Sequence, residues 1–230
     1  MFHPRGPTFW ELAEQALSST ERGYDLLAPK FDVTPFRTPD EILSRAANYV
    51  HGALKPRRLL DLGCGTGAVL QALNVHRAVG LDLSRGMLAV ARKQVPHAVY
   101  VRGDFLEPPF ASAFDLVTCF SALGHVLPTD GERFVKAVRT CLRPQGHFLF
   151  VTSRMPPLGS RGYWLSRGFN AAMHLRNTMW SPPFVMYYLT FVLPEARALL
   201  ESEGFEVRVE SGVFGAPFER YCLVEARLPR

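Results

Sequence analysis

The sequence has no apolar run long enough to cross a membrane. Its longest strongly apolar stretch is residues 184–193, whereas a membrane-spanning helix requires about 18 apolar residues. The first residues also reach a polar, acidic helical pattern at once, without the basic and then apolar regions of a secretory signal. We therefore predict a cytoplasmic protein without a transmembrane segment.

Cysteine is scarce, and paired cysteines are absent. The chain has four cysteines, and none has the C-x-x-C or Cys/His spacing of a redox pair or a zinc site. Neither a disulfide framework nor a structural zinc site is therefore indicated, and no metal is expected. The four residues, which we expect to be free thiols, are Cys64, Cys119, Cys141 and Cys222.

Dense blocks of positive charge are absent too. The formal net charge is +5, and an excess of this size is compatible with an anionic partner without selecting nucleic acid. The chain of 230 residues is 47% hydrophobic and 20% charged, which is the composition of an ordinary globular protein. This length is sufficient for one substantial core, so a single domain is expected.

From about residue 56, short β-rich segments alternate with helical patterns, which is typical of a wound α/β domain with a mainly parallel sheet. Helices are predicted to open near Thr66 and to cover residues 85–94 and 130–142. The chain ends with a helix that starts at Pro194 and with two further strands, and two helices precede residue 56. The five central strands are predicted to end at Gly63, Ser84, Phe105, Ser121 and Ser153.

A glycine-rich loop follows the first predicted strand, in the stretch LLDLGCGTGAVL at residues 59–70. Such a turn lets the backbone approach a ligand closely, and the N–H groups of the next helix then face its anionic part. Gly63, Gly65 and Ala68 also satisfy the G-x-G-x-x-A dinucleotide fingerprint, with Asp82 about 20 residues further on. The loop alone therefore leaves a nicotinamide cofactor open.

Three carboxylates favour a different cofactor. Asp61 lies within the strand before the loop, Asp82 lies in GLDLS and Asp104 lies in GDF. Together with the loop they resemble the ordered motifs of class I S-adenosylmethionine-dependent methyltransferases, and FDLVTCFSALGHV and LRPQGHFLFV resemble the later motifs. The resemblance covers about residues 57–153, and ALLESEGFEV extends it to the last hairpin.

The resemblance implies a Rossmann-like α/β fold. In this fold a seven-stranded, mostly parallel sheet has an antiparallel last strand inserted beside its neighbours, and helices cover both faces. Within a single methyltransferase domain it implies an N-terminal helical cap at 1–55, a cofactor-binding core at 56–153, a substrate-lid insert at 154–193 and a C-terminal helix and β-hairpin at 194–230.

The cofactor implied by this resemblance is S-adenosyl-L-methionine, with S-adenosyl-L-homocysteine as the product. Its methionine end would lie over the glycine loop, its ribose hydroxyls would donate to Asp82, and its adenine amino group would donate to Asp104. Tyr24, in YDLLAPKFD, would cover the sulfonium. The predicted cofactor-binding residues are Tyr24, Asp61, Gly63, Cys64, Gly65, Gly67, Asp82, Leu83, Met87, Asp104, Phe105 and Phe120.

Each of these positions also has a purely structural interpretation. Asp82 could cap the next helix, Asp104 could belong to an ordinary turn, and Tyr24 could only pack. Cys64 is expected to be a small filler between the glycines. The glycines themselves could make nothing more than a tight strand-to-helix connection.

His125 is the candidate catalytic base. It follows the fourth predicted strand, at the edge of the sheet where open α/β sheets bind their ligands. An imidazole with an ordinary pKa of about 6.5 suits removal of a proton from a hydroxyl or amine. The alternative is a histidine that only lines the pocket or caps a helix.

Residues 154–193 form the strongest compositional shift in the chain, with four arginines, eight aromatic residues and no Asp or Glu. The aromatics favour a planar or lipophilic acceptor, and the arginines favour an anionic group, a membrane surface or RNA. Two ordinary helices packed on the sheet are the plain alternative. This segment is our candidate wall for the acceptor.

The predicted function is methyl transfer from S-adenosylmethionine to O, N or C of a small, partly apolar or aromatic metabolite. The competing hypotheses are a tRNA or rRNA methyltransferase, a nicotinamide-dependent oxidoreductase and a protein that binds the cofactor without catalysis. Nucleic acid is the less favoured partner, because no appended binding module is visible. The protein is expected to be a monomer or a homodimer.

Overall fold

A computed structural model describes residues 4–230, so residues 1–3 of the predicted N-terminal cap lie outside the described part. Its strands form one seven-stranded sheet in the order 3-2-1-4-5-7-6. Strands one to five are parallel to one another, and the last strand is antiparallel to both of its neighbours. The predicted sheet is therefore confirmed. The strands are β1 Arg58–Leu62, β2 Arg77–Asp82, β3 Val99–Arg102, β4 Phe114–Cys119, β5 Leu142–Ser153, β6 Glu206–Glu210 and β7 Tyr221–Arg227.

Helices lie around this sheet and before it. One of them, Arg85–Gln94, has the bounds that the sequence predicts, and another ends one residue before Leu142, where β5 begins at once. The helices are α1 Phe9–Leu17, α2 Thr20–Leu27, α3 Asp40–Tyr49, α4 Ala68–Leu73, α5 Arg85–Gln94, α6 Gly131–Cys141, α7 Arg161–Met179 and α8 Glu195–Ser202.

Several predicted boundaries are wrong by two or three residues. Strands β2 and β3 end at Asp82 and Arg102 rather than at Ser84 and Phe105. Ser84 instead caps α5, because its hydroxyl accepts the N–H of Met87.

The first and fourth strands are also shorter than predicted, ending at Leu62 and Cys119. After Leu62 the chain leaves β1 because the N–H groups of Gly63 and Cys64 both donate to Leu81 O. Helix α4 correspondingly opens at Ala68 and not near Thr66.

Helix α2 is missing from the predicted elements. It is short, and Gly23 in its middle weakens its intrinsic helix propensity. Tertiary packing explains why it forms: a Cβ at position 23 would lie 2.8 Å from the ring of Phe184 and 3.0 Å from Gln15 O. The glycine that weakens the local signal is the residue that lets α2 pack closely between α1 and the 154–193 segment.

The sheet separates two hydrophobic layers. Alternate residues of β5 point to opposite faces, so Phe148 and Phe150 join the layer beneath α6 and α8 while Leu149 joins the layer beneath α3, α4 and α5. In β1, Leu60 and Leu59 divide in the same way. Central strands that are buried on both faces hold the carboxyl ends of β1, β2 and β4 in fixed positions.

The segment between β5 and α8 differs from this core. The sequence left open that this segment forms two ordinary helices packed on the sheet. The structure instead has one long helix, α7, and no residue of α7 is buried. Among residues 4–230, no helix has both the length and the apolar character that crossing a bilayer requires.

Candidate functional site

The glycine loop lies at the sheet edge formed by the carboxyl ends of β1, β2 and β4, because β1 lies between the other two strands. Gly63 has a φ of +67°, which disfavours any side chain. A Cβ at this position would also lie 2.7 Å from the Cβ of Ala122, in the turn after β4. Gly63 is therefore required for the loop after β1 to contact the turn after β4.

The other two glycines have different surroundings. Gly67 has a φ of +89°, and a Cβ there would lie 3.3 Å from the Cβ of Ala91, so this residue packs the loop against α5. Gly65 has a φ of +51°, and no atom of a non-adjacent described residue lies within 4 Å of the position its Cβ would take. The middle of the loop therefore presents bare backbone to open space, as close approach of a ligand requires.

Asp61 is a buried carboxylate with one unpaired oxygen. Its Oδ1 accepts a 2.7 Å hydrogen bond from the hydroxyl of Thr118, while Oδ2 is buried and has no hydrogen-bond partner among the described residues. Burial raises the pKa of Asp61 to about 7; the Thr118 hydrogen bond opposes this rise and the charge of Asp82 adds to it. A ligand that brings an ammonium or N–H donor would satisfy Oδ2.

Asp82 connects the end of β2 to the glycine loop. Its Oδ2 accepts the N–H of Gly65 at 2.8 Å, and its Oδ1 accepts the N–H of Ser84 at 2.9 Å. Burial raises the pKa of Asp82, while these backbone hydrogen bonds lower it. Each carboxylate oxygen can accept more than one hydrogen bond, so this structural role leaves acceptor capacity for ligand hydroxyls.

Two carboxylates that sequence reasoning missed connect the N-terminal segment to this loop. Asp25 Oδ1 accepts hydrogen bonds from the Ser84 hydroxyl at 2.6 Å and from the Gly86 N–H at 2.7 Å. Asp32 Oδ1 accepts from the Thr66 hydroxyl at 2.6 Å. The available signal was the recurrence of Asp after an aromatic residue in YDLLAPKFD, where the prediction considered only Tyr24.

Tyr24 and His125 form a hydrogen-bonded pair, with the Tyr24 hydroxyl 3.0 Å from Nε2 of His125. The other ring nitrogen, Nδ1, is hydrogen-bonded to the carbonyl oxygen of Val185. Since a carbonyl can only accept, Nδ1 carries the proton and Nε2 accepts from Tyr24. Burial lowers the pKa of His125 and raises that of Tyr24, so both side chains are neutral near pH 7.

Aromatic rings surround this pair. The ring of Tyr24 stacks with Phe184 at a centroid distance of 6.0 Å and meets the His125 ring edge-on at 5.3 Å. Phe31 packs edge-on against Tyr24 from the N-terminal segment, at 6.2 Å. The N-terminal segment, the turn after β4 and the 154–193 segment therefore meet at one polar pair within an apolar environment.

The remaining predicted residues are distributed between the core and the surface. The Sγ of Cys64 occupies the space beside Gly80, where a Cβ would lie 2.7 Å from it, and burial raises the pKa of this thiol. The side chains of Met87 and Phe120 are buried in the protein interior. For Cys64, Met87 and Phe120, the structure shows packing positions.

Three predicted residues lie at the outer ends of β2 and β3. Leu83 is exposed, and Asp104 is also exposed, with its Oδ1 accepting the N–H of Leu106 at 2.8 Å. Phe105 packs edge-on against Phe134 of the core at 5.6 Å. Phe105 also lies beside the glycine loop, since its Cδ1 would be 3.8 Å from a Cβ at Gly63. Leu83 and Asp104 are the more open residues.

Comparison with known proteins identifies the family. The family model of a methyltransferase domain matches residues 60–150, and the demethylmenaquinone methyltransferase of Thermus thermophilus is 31% identical over 70% of this chain and 79% of its own length. The chain belongs to the class I S-adenosylmethionine-dependent methyltransferases. S-adenosylmethionine is the cofactor of this family.

Other methyltransferases are similar over different shares of their length. The ubiquinone biosynthesis O-methyltransferase of Acinetobacter baylyi is 29% identical over 58% of this chain, and the match spans 61% of the relative's length. The DhpI structure in complex with SAH has a TM-score of 0.68 at 20% identity and covers 96% of this chain and 99% of that one. That structural similarity shows the methyltransferase fold.

Proposed function

We propose that this chain transfers the methyl group of S-adenosylmethionine to a small, partly apolar or aromatic acceptor. The observation that carries the proposal is the Tyr24–His125 pair, which lies within aromatic rings at the same sheet edge as the glycine loop. The two curated relatives described above are named for quinone biosynthesis and for demethylmenaquinone. Both names support a phenolic or quinonoid ring, methylated at O or C, as the acceptor.

The donors and acceptors at the loop suit the cofactor. The unpaired Oδ2 of Asp61 suits the ammonium group of its methionine part, and the open side of Gly65 suits the adjoining chain. As predicted from the resemblance, Asp82 would accept from the ribose hydroxyls and Asp104 from the adenine amino group. When bound, the cofactor supplies an electrophilic methyl group, so the protein needs only to orient the acceptor, exclude water and manage a proton.

His125 is the residue that we assign to the proton. The Val185 carbonyl fixes Nδ1 as the protonated nitrogen, and Nε2 is therefore the basic atom. An acceptor hydroxyl that displaces the Tyr24 hydroxyl would donate to Nε2, which could then remove its proton as the nucleophilic oxygen forms. Tyr24 would remain beside the reacting groups as part of the aromatic wall.

Ligand-induced stabilisation tests the cofactor assignment without knowledge of the acceptor. S-adenosylhomocysteine at about 100 times its Kd should stabilise the protein by about 2.7 kcal/mol, and NADH should have no effect. The Asp82→Ala variant should lose most of this response. The matched control is Asp40→Ala, which removes an exposed carboxylate of α3 and should respond as the wild type does. Stabilisation by NADH alone would reject the proposal.

Methyl transfer tests the acceptor and the role of His125. The protein should transfer radiolabelled methyl to phenolic acceptors, and label that enters only RNA would contradict the proposal. With a true acceptor, His125→Ala should reduce turnover by more than about threefold while the S-adenosylhomocysteine response stays intact, because general acid–base catalysis contributes typically ~10²–10⁴-fold. A smaller loss of turnover would remove His125 from the mechanism.

A further inference from the structure

Helix α7 exposes large apolar side chains to solvent, although its half-buried side also carries the apolar Phe169 and Met173. Its solvent-facing side carries Trp164, Leu165 and Leu175, which are 63%, 74% and 62% exposed. Its inward side carries Asn170 and Asn177, whose side chains hydrogen-bond to the backbone of the segment that follows. Fold stability therefore gives no reason for the large apolar residues on the outer side.

Part of this exposed apolar surface is a stripe along the helix, with Leu165 at its margin. Trp164, Leu175 and Met179 are separated by eleven and four residues, which places them on one side of an α-helix. The small residues Gly168 and Ala171 lie between Trp164 and Leu175 on the same side. An exposed apolar stripe on a helix with no buried residue is a feature of an interaction surface.

The charges around the stripe have one sign. The segment from Arg154 to Leu193 contains no Asp or Glu, and Arg161 and Arg167 of α7 are exposed. Arg176 has a structural role, since its guanidinium donates to the carbonyl oxygens of Ala16 and Ser18. Arg161 and Arg167 are thus the cations of α7 on the exposed side.

Helix α1 adjoins α7 through these Arg176 hydrogen bonds. Phe9 and Trp10 are among the most exposed aromatic side chains of the described residues, and Leu17 at the end of α1 is exposed as well. The acidic Glu11 of α1 is paired with Lys30 at 2.6 Å. The negative charge of Glu11 is therefore compensated locally, but Glu14 of α1 is exposed as well. The candidate docking surface is therefore the outer side of α7 alone.

The inner side of α7 leads directly to the Tyr24–His125 pair. Asn177 accepts the N–H of Phe184 and donates to its carbonyl, Phe184 stacks on Tyr24, and the next residue, Val185, accepts from His125. The 184–188 segment therefore lies between the inner side of α7 and the candidate reaction centre.

We propose that the outer side of α7 docks on the surface of an anionic lipid bilayer. Charge complementarity carries this choice of partner, because anionic headgroups match Arg161 and Arg167 while the interfacial region accepts Trp164 and the leucines. A second copy of the chain is a poorer partner, since a two-fold interface would bring like-charged arginines together. The helix would lie along the surface and not cross the bilayer.

Vesicle sedimentation tests this docking without reference to catalysis. The full chain should bind vesicles of phosphatidylcholine with phosphatidylglycerol, bind phosphatidylcholine alone weakly, and dissociate as salt rises. Arg161→Glu/Arg167→Glu should lower the partition coefficient by about 30-fold, since each arginine near the surface contributes about 1 kcal/mol. Trp164→Ser/Leu175→Ser should lower it by about tenfold or more.

The controls change the same residue types elsewhere. Arg57→Glu/Arg77→Glu alters exposed arginines at the opposite end of the strands, and Val99→Ser alters an exposed apolar residue of the edge strand β3; both should bind vesicles like the wild type. Thermal unfolding should show that all variants fold, because α7 has no buried residue. Equal binding by every variant, no vesicle binding, or binding to a second copy or to RNA instead would overturn the proposal.

Discussion

The glycine loop and helix α7 both have an unusual local composition, yet they differ in how their side chains are used. Around the loop, Asp82 is tied to Gly65 and Ser84 by backbone hydrogen bonds, and Asp61 is buried with one oxygen unpaired. Along α7, the large apolar side chains face solvent. Hydrogen bonds and burial fix the side chains around the loop. Helix α7 is attached to the fold by polar side chains and leaves several large apolar residues exposed.

Alanine substitutions in the loop should give the largest effect. Gly63→Ala combines a positive φ with a Cβ 2.7 Å from Ala122 and should cost about 3 kcal/mol of unfolding free energy. The Cβ of Gly65→Ala would meet no atom of a non-adjacent described residue within 4 Å. This variant should cost only about 1 kcal/mol for its backbone conformation while still abolishing S-adenosylhomocysteine binding. Denaturant titration measures both costs, and equal values would contradict the close approach at Gly63.

The pH dependence of stability tests the burial of Asp61. Its pKa is raised from 3.8 to about 7, so between these values the folded state holds a proton that the unfolded state has released. Without ligand, this group therefore makes stability fall as pH rises through that window, by at most about 1.4 kcal/mol per pH unit. Asp61→Asn should remove this decline, and the exposed Asp104→Asn should retain it. Parallel profiles for Asp61→Asn and the wild type would show that Asp61 is not buried in this way.

The Tyr24 hydroxyl should affect His125 more than it affects stability. Its O–H donates to the neutral form of the imidazole, so Tyr24→Phe should raise the pKa of His125 and cost about 1 kcal/mol of unfolding free energy. An NMR titration of the histidine ring measures the pKa directly. Tyr163→Phe, within α7, is the control and should leave the His125 pKa unchanged. An unaltered pKa in Tyr24→Phe would argue against the hydrogen bond.

The smallest expected change in the free energy of unfolding is a gain in stability. Gly168 lies within α7, and outside the backbone of that helix and its chain neighbours no atom of the described residues lies within 4 Å of the position its Cβ would take. Gly168→Ala should therefore stabilise the protein by about 0.5–1 kcal/mol, because alanine loses less conformational freedom in a helix. Thermal denaturation of Gly168→Ala and Gly63→Ala compares their changes in stability. A destabilised Gly168→Ala would indicate that something already covers this side of α7.

Much of the fold could be predicted because its signals are local. The alternation of β-rich and helical segments predicts the central parallel strands, and α5 is bounded as predicted because Ser84 caps it and its apolar residues recur at helical spacing. Helix α2 was missed because its stability depends on Phe184, which lies far along the chain. Local propensity carries no information about such a partner.

Some features of the candidate site can likewise be predicted from local sequence, and others depend on distant partners. The glycines at 63, 65 and 67 and the position of Asp82 at the end of β2 follow from sequence. Positive φ angles and strand ends have direct residue preferences. The roles of Asp25 and Asp32 depend on how separate elements pack. So does the contact between Tyr24 and His125, which are 101 positions apart.

Residues 154–193 are aromatic and basic in composition, which the sequence shows directly. Only three-dimensional packing places Asn170 and Asn177 on the inward side and Trp164 on the outward side. Backbone stereochemistry acts between neighbouring residues, whereas burial and partner choice depend on distant parts of the chain.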